Sequence, residues 1–373
     1  MTQRPLTRAY SLCQEWVTPG APSRSTPAEL LTRLHRLWLL GLVLKMVGSS
    51  WDVSWHFRWL RDDLAPPHLL NSVGTLLVAG LIAFHTYTGY GVDRRSLRLM
   101  QVGIGIFFLA IPTDLINHRV NGLDLTSWSP THMMLYLGTA VMLAGVIRAW
   151  WRYGRPGYER VLGLGLLWLL FLENVMFCAG QQEYGVVAIA TWDAGHPEAE
   201  PSLLQFAANQ IGRPVDREAL VHFALPVPAW VYLAWIITAA MLALVVAHAT
   251  IGRRWSATTI TVGYLAYRCT VWVLLSGAGF PRSAVPFLLL GGALVVDTVM
   301  SSRRLPWLLR PVVGSVLVTM AICGSAWLQA VLVWSPPLDY RSAAAAAAGL
   351  AALWSGMALL IRTDGYSRWL AEQ

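Results

Sequence analysis

The chain is poor in charge and almost without lysine. Only 13% of its 373 residues are charged, against about 25% in a soluble domain. Of its 28 basic residues one is lysine, Lys45, and the rest are arginine. Cysteine is equally sparse: Cys13, Cys178, Cys269 and Cys323 stand far apart with no CxxC pair. That pattern indicates neither a disulfide framework nor a zinc ribbon. Residues 1–36 are polar and lack the short apolar run and small-residue cleavage site of a signal peptide. They are expected to form a cytoplasmic tail with a short surface helix at 27–34.

What fills the space left by charge is apolar. Hydrophobic residues make up 55% of the chain, and the mean hydropathy is +0.50. Long uncharged runs recur, which defines an all-α, polytopic membrane protein: in hydrocarbon each spanning segment must satisfy its own backbone hydrogen bonds. A span needs about 20 apolar residues. Ten candidates follow, at 37–57, 67–89, 99–118, 131–151, 160–181, 224–250, 256–276, 284–301, 311–334 and 342–362. The net charge of +8 does not signal nucleic acid, because the arginines sit in short loops beside the spans and no nucleic-acid module is present. With ten spans, nineteen arginines fall on the side of the N-terminus and seven on the other. The positive-inside rule then places both termini in the cytoplasm of a multi-pass cell-membrane protein. The expected organisation is a tail at 1–36, a membrane unit at 37–151, and the remaining helices at 152–373 with an outer loop at 182–223.

Ionisable residues, scarce elsewhere, concentrate at Trp51–Leu69, "WDVSWHFRWLRDDLAPPHL". Asp52 and His56 are i,i+4 and share a helix face. His68 follows a proline-rich turn. The pattern repeats one hairpin later in "TDLINHRVNGLDLTSWSPTHMM", where Asp114 and His118 are i,i+4 and His132 follows Pro130. The spacings are Asp-x3-His-x11-His and Asp-x3-His-x13-His, each with a further aspartate ten residues after the first, Asp62 and Asp124. Each copy of this duplicated hairpin offers two imidazoles and one carboxylate, a set that suits copper, iron or zinc, and topology puts both at the same outer depth. Ionisable groups at membrane depth are costly and usually functional. Arg61 and Asp62 are candidates to orient the ligand histidines, with a surface ion pair as the alternative. Glu173 and Asn174, in "FLENVMFCAG", are extra polar candidates within span five, or bonds to a neighbouring helix. Arg268 needs a counter-charge, for which Glu173 is the expected partner. His222 is a further candidate ligand. Trp51, Trp55, Trp59 and Trp128 flank the sites as an interfacial belt or as substrate-shaping walls.

At these residues the sequence resembles the C subunit of the copper membrane monooxygenases, the particulate methane and ammonia monooxygenases. That family carries a stretch reading D-x-x-W-H-x4-R-D-x4-P-x-H. Asp52, Trp55, His56, Arg61, Asp62, Pro67 and His68 follow it, with the last loop one residue shorter. A second family position, Asn-x3-His-x13-His, is matched by Asp114, His118 and His132, with aspartate for asparagine. That exchange adds a negative charge, which favours a more positively charged metal state or a second metal. The resemblance covers roughly 50–135. It implies a metal-dependent, copper-preferring membrane oxidoreductase, a monooxygenase acting on a small or hydrophobic substrate. The family's other subunits make a redox partner or a homo-oligomer an expectation. The alternative is a metal-handling or transport protein using the same ligands; a structural zinc or sensor module is the third reading, distinguished by a closed four-ligand site.

Overall fold

The computed structural model describes residues 15–60, 64–121 and 126–362. The main helices among the described residues are α1 (Ala28–His56), α2 (Pro66–Thr88), α3 (Arg94–Asn121), α4 (Pro130–Tyr153), α5 (Tyr158–Asp193), α6 (Pro201–Gln210), α7 (Arg217–Ala224), α8 (Trp230–Ile251), α9 (Ser256–Gly277), α10 (Leu289–Ser301), α11 (Arg310–Leu332) and α12 (Ala343–Arg362). Among the described residues there is no strand, only an isolated bridge between Arg24 and Tyr90.

Among the described residues eight helices are long and apolar enough to cross a membrane: α2, α3, α4, α5, α8, α9, α11 and the segment Tyr340–Leu360. They match eight of the ten expected spans. The other two expectations fall on α1, 29 residues long but carrying Lys45 and Asp52, and on α10, an apolar helix of 13 residues. Two boundaries differ from expectation. The helix expected at 27–34 is the first part of α1, which continues unbroken to His56. The outer loop expected at 182–223 begins only after Asp193, because α5 runs for 36 residues, and the stretch beyond it folds into α6 and α7. Gln182 to Val187 are mostly buried, and it is this burial against distant partners that carries the helix past 181.

The described residues form two compact units, 15–52, 64–121 and 129–174 in one, and 53–60, 126–128 and 175–362 in the other. In the first, local chemistry sets the helix ends. Proline opens α2 and α4, where its missing N–H is no loss. Gly89 closes α2 at φ +71, donating its N–H to the His85 carbonyl. Asp93 caps α3 by accepting the Ser96 N–H at 2.6 Å. Its other oxygen accepts from Arg148 at 3.0 Å and Arg152 at 3.2 Å on α4. Burial works against ionising this carboxyl, but the Ser96 amide and Arg148 outweigh it and hold its pKa below the ordinary value.

Helix pairs in this unit pack through glycine. A Cβ on Gly74 of α2 would lie 2.6 Å from the Lys45 nitrogen and 2.7 Å from the Gly41 carbonyl oxygen of α1. One on Gly138 of α4 would lie 2.7 Å from the Phe107 nitrogen and 2.7 Å from the Gly103 oxygen of α3. Only hydrogen in place of a side chain lets these backbones approach so closely, the small-residue packing usual between membrane helices.

In the second unit α9 packs on α10, α10 on α11 and α11 on α12. Phe57, Tyr184, Leu203, Leu204, Leu220 and Phe223 form a buried cluster that seats α6 and α7. A single π-helical turn, Ile236–Ala240, interrupts α8.

Candidate metal centres

The two groups of candidate ligands assemble. In each, Asp52, His56 and His68 or Asp114, His118 and His132, the three residues offer ligand atoms within 4.8 Å of one another. Among the described residues these are the groups of three or more metal-binding side chains, and each numbers three.

Helix geometry explains the convergence. Asp52 and His56 lie one turn apart on α1, as Asp114 and His118 do on α3. His68 and His132 are each the third residue of their helices, two after the opening proline. The proline thus fixes where the helix starts, and the start fixes where the imidazole stands. In α4 Ser129 reinforces this by accepting the backbone N–H of His132 at 3.3 Å.

In the first group His68 Nε2 is 2.8 Å from Asp52 Oδ1, and both side chains are about one-fifth exposed, at 22% and 23%. In the second, Asp114 Oδ1 is 3.5 Å from His118 Nε2 and 3.7 Å from His132 Nε2. The two imidazole rings are 6.4 Å apart at 60°. This centre is the more enclosed, with Asp114 and His118 side chains 7% exposed. Thr131 donates its hydroxyl to Asp114 Oδ1 at 2.7 Å, fixing the carboxylate. Such partners of metal ligands set their orientation. Nitrogen and oxygen donors bind first-row metals at about 2.0–2.2 Å, so three donors this close need only small side-chain adjustments to share one ion.

Glu173 and Asn174 do not join either ligand group. Glu173 is buried and accepts the Ser50 hydroxyl at 2.6 Å, two residues before Asp52. Asn174 donates to the Tyr136 carbonyl oxygen at 3.1 Å, a bond between neighbouring helices. Arg61, Asp62 and Asp124 lie outside the described residues. His222 is exposed and belongs to neither group. Trp59 donates to Glu200 and packs with Trp55 and Phe280, while Trp128 meets Trp235 edge-on.

Arg268 corrects an expectation. Its guanidinium pairs with Glu183 at 2.7 Å, not with Glu173. Glu183 is fully buried and also accepts the Tyr232 hydroxyl at 2.8 Å, and Arg268 donates to Tyr264 at 3.1 Å. The pairing with Glu183 was hidden because α5 was expected to end at 181. A second buried pair, His248 with Asp297 at 2.6 Å, ties α8 to α10. Asp297 also accepts the Ala257 and Thr258 amides at the start of α9.

Four glycines carry the same duplication beyond the candidate ligands. Gly41 and Gly103 each precede the ligand aspartate by eleven residues, and Gly74 and Gly138 each follow the last histidine by six. The correspondence therefore extends beyond the ligands into the packing that holds them.

Comparison with known proteins returns no matching family, no matching curated protein and no matching solved structure.

Proposed function

We propose that the chain is a metal-dependent membrane oxygenase, copper-preferring, built on a duplicated hairpin α1–α2 and α3–α4, with each copy holding one two-histidine, one-aspartate centre. The observation that carries this reading is the pair of three-donor groups at corresponding places, each with a glycine-packed helix pair behind it. Three protein donors leave coordination positions for exogenous ligands, the arrangement of catalytic rather than structural sites. The resemblance to the copper membrane monooxygenases favours copper over iron.

When bound, the metal supplies the redox chemistry. The chain's own residues do the rest. His56, His68, His118 and His132 present imidazole nitrogens, Asp52 and Asp114 add one negative charge each, and Thr131 keeps Asp114 aimed at its histidines. Around the centres Leu69, Val73, Leu115 and Ile116 expose apolar side chains, which suits a small hydrophobic substrate entering from lipid. In this reading the chain makes ten crossings with both termini cytoplasmic, the centres lie toward the outer face, and electrons come from a separate reductant or subunit.

Ion transport through the hairpins is less well supported. A path for cations would continue inward through further ligands. Instead, Lys45 is buried seven residues from Asp52. His85 has both ring nitrogens engaged, one accepting from Trp38 and the other at 2.7 Å from the Tyr90 carbonyl oxygen.

The test is elemental analysis and EPR of protein purified in lipid discs, followed by oxygen uptake with reductant and small hydrocarbons. Near-stoichiometric copper or iron, nitrogen-ligated and open to an added ligand, is the expected result. Its loss in a His56→Ala/His118→Ala double variant assigns it to the two centres. Tightly held zinc closed to exogenous ligands, or no metal at all, would overturn the proposal.

A further inference from the structure

The only lysine of the chain lies under the first centre. Lys45 is 4% exposed in the middle of α1. Its ammonium donates to Asn71 Oδ1 at 3.1 Å and to Thr75 Oγ1 at 3.4 Å, both on α2, and stands 3.5 Å above the centroid of the Phe107 ring on α3. Two oxygens and one aromatic face occupy the directions of an ammonium's three donors. Among the described residues no carboxylate lies within ion-pair distance of it.

The surroundings connect Lys45 to the centre through one polar layer. Asn71 turns its carbonyl to Lys45 and its amide N–H to Ser49 at 2.9 Å. Asn71 is three residues after His68, and Ser49 three before Asp52, so each lies about one turn from a ligand. Seven helical residues place Lys45 about 10 Å along α1 from Asp52. The corresponding place on α3, seven residues before Asp114, is Phe107, the ring on which the ammonium rests. The cation is therefore a departure from the repeat, confined to the first hairpin.

A positive charge held by Asn71, itself one turn from His68, acts through buried protein on an ion at the centre. The repulsion is proportional to the ion's charge, so it weakens a divalent ion twice as much, in free energy, as a monovalent one. We infer that Lys45 is a specificity-determining residue that biases the Asp52–His56–His68 centre toward metal ions of low charge. This inference rests on the metal-centre reading above and says which ions that centre prefers. It implies that the centre holds divalent ions more weakly than the same three donors would without Lys45, and that monovalent ions are penalised about half as much.

The test uses the full-length chain in lipid discs, with His118→Ala removing the second centre. Zinc(II) affinity is read by competition with a chromophoric chelator, and the His56→Ala/His118→Ala protein serves as the blank. At about pH 6, where the ammonium is kept, replacing Lys45 by Met is expected to tighten zinc(II) binding on the order of tenfold, while Lys45→Arg, which keeps the charge, leaves it within about twofold. A role limited to packing predicts the opposite sign, weaker binding in Lys45→Met. Lys45→Gln provides a second neutral variant should the Met protein fail to fold. Unchanged or weaker zinc(II) binding in the folded neutral variants would overturn the inference while leaving the centre itself intact. Absence of zinc(II) binding in the His118→Ala parent, above the blank, would overturn the centre and the inference with it.

Discussion

Gly74 and Gly138 stand in the same relation to their neighbours in two different helix pairs. Each abuts the backbone nitrogen of the residue seven before a ligand aspartate and the carbonyl oxygen of the residue eleven before it. Each also lies six residues after the histidine that completes the same ligand set. The ligands and the helix contacts thus keep one register, and the register is what lets donors from two helices meet.

That register can be broken by one methyl group. Gly74→Ala and Gly138→Ala each place a Cβ 2.6–2.7 Å from opposing backbone, which cannot relax as a side chain can. Each is expected to destabilise its helix pair by about 1–3 kcal/mol, the usual range for overpacking. The metal of its own hairpin should be lost preferentially. Thermal unfolding in detergent, with metal content of each variant, checks this; Gly80→Ala, where a Cβ meets nothing within 4 Å, is the control.

Removing the hydroxyl that holds Asp114 tests the second centre without touching a ligand. Thr131→Val is expected to lower metal affinity there by about 10–100-fold, as for other groups that orient ligands. Measured in a His56→Ala background by competition with a chelator, unchanged affinity would mean that Thr131 plays no part.

The Arg268–Glu183 pair should carry a large stability penalty when halved. Glu183→Leu leaves a buried guanidinium without its carboxylate and is expected to cost about 3–5 kcal/mol. Adding Arg268→Met should recover a good part of that loss. A double variant no more stable than Glu183→Leu alone would show that Tyr232 and Tyr264, not the charge pair, dominate this cluster.

Asp93 gives a pH signature. Its pKa is lower in the folded chain than the ordinary value, so its stabilising effect is present above about pH 4, the unfolded value, and is lost as pH falls through the folded one. The difference in melting temperature between the wild type and Asp93→Asn should therefore be constant from neutral pH to about pH 5 and shrink below pH 4. A difference that persists undiminished at pH 3 would contradict the charge-based role.

Much of the helical architecture, and the grouping of the candidate ligand residues, was legible in the sequence, for separate reasons. Apolar runs of span length stand out in composition, so eight of the described helices long and apolar enough to cross a membrane could be placed from it. The i,i+4 aspartate and histidine, with a proline before the last histidine, are local patterns whose geometry follows from helix rise and helix start. What was not legible depends on partners distant in the chain. The continuation of α5 to Asp193 rests on burial of Gln182, Glu183 and Tyr184, polar residues that read as the end of a span until Arg268, Tyr232 and Phe57 are in view. The glycine contacts needed a neighbour helix to show why Gly74 and Gly138 carry no side chain.

The length of α5 has a consequence for how the chain meets its bilayer. Thirty-six residues extend about 54 Å, while the hydrocarbon layer is about 30 Å thick. A bilayer that grips the apolar stretch 160–181 leaves Gln182–Asp193 projecting about 18 Å beyond it, level with headgroups and water. The Glu183 carboxylate then lies near the rim of the membrane, not at its midplane. A carboxylate there can stay hydrated at the water boundary until Arg268 pairs with it, whereas Glu173, inside the gripped stretch, has no such access.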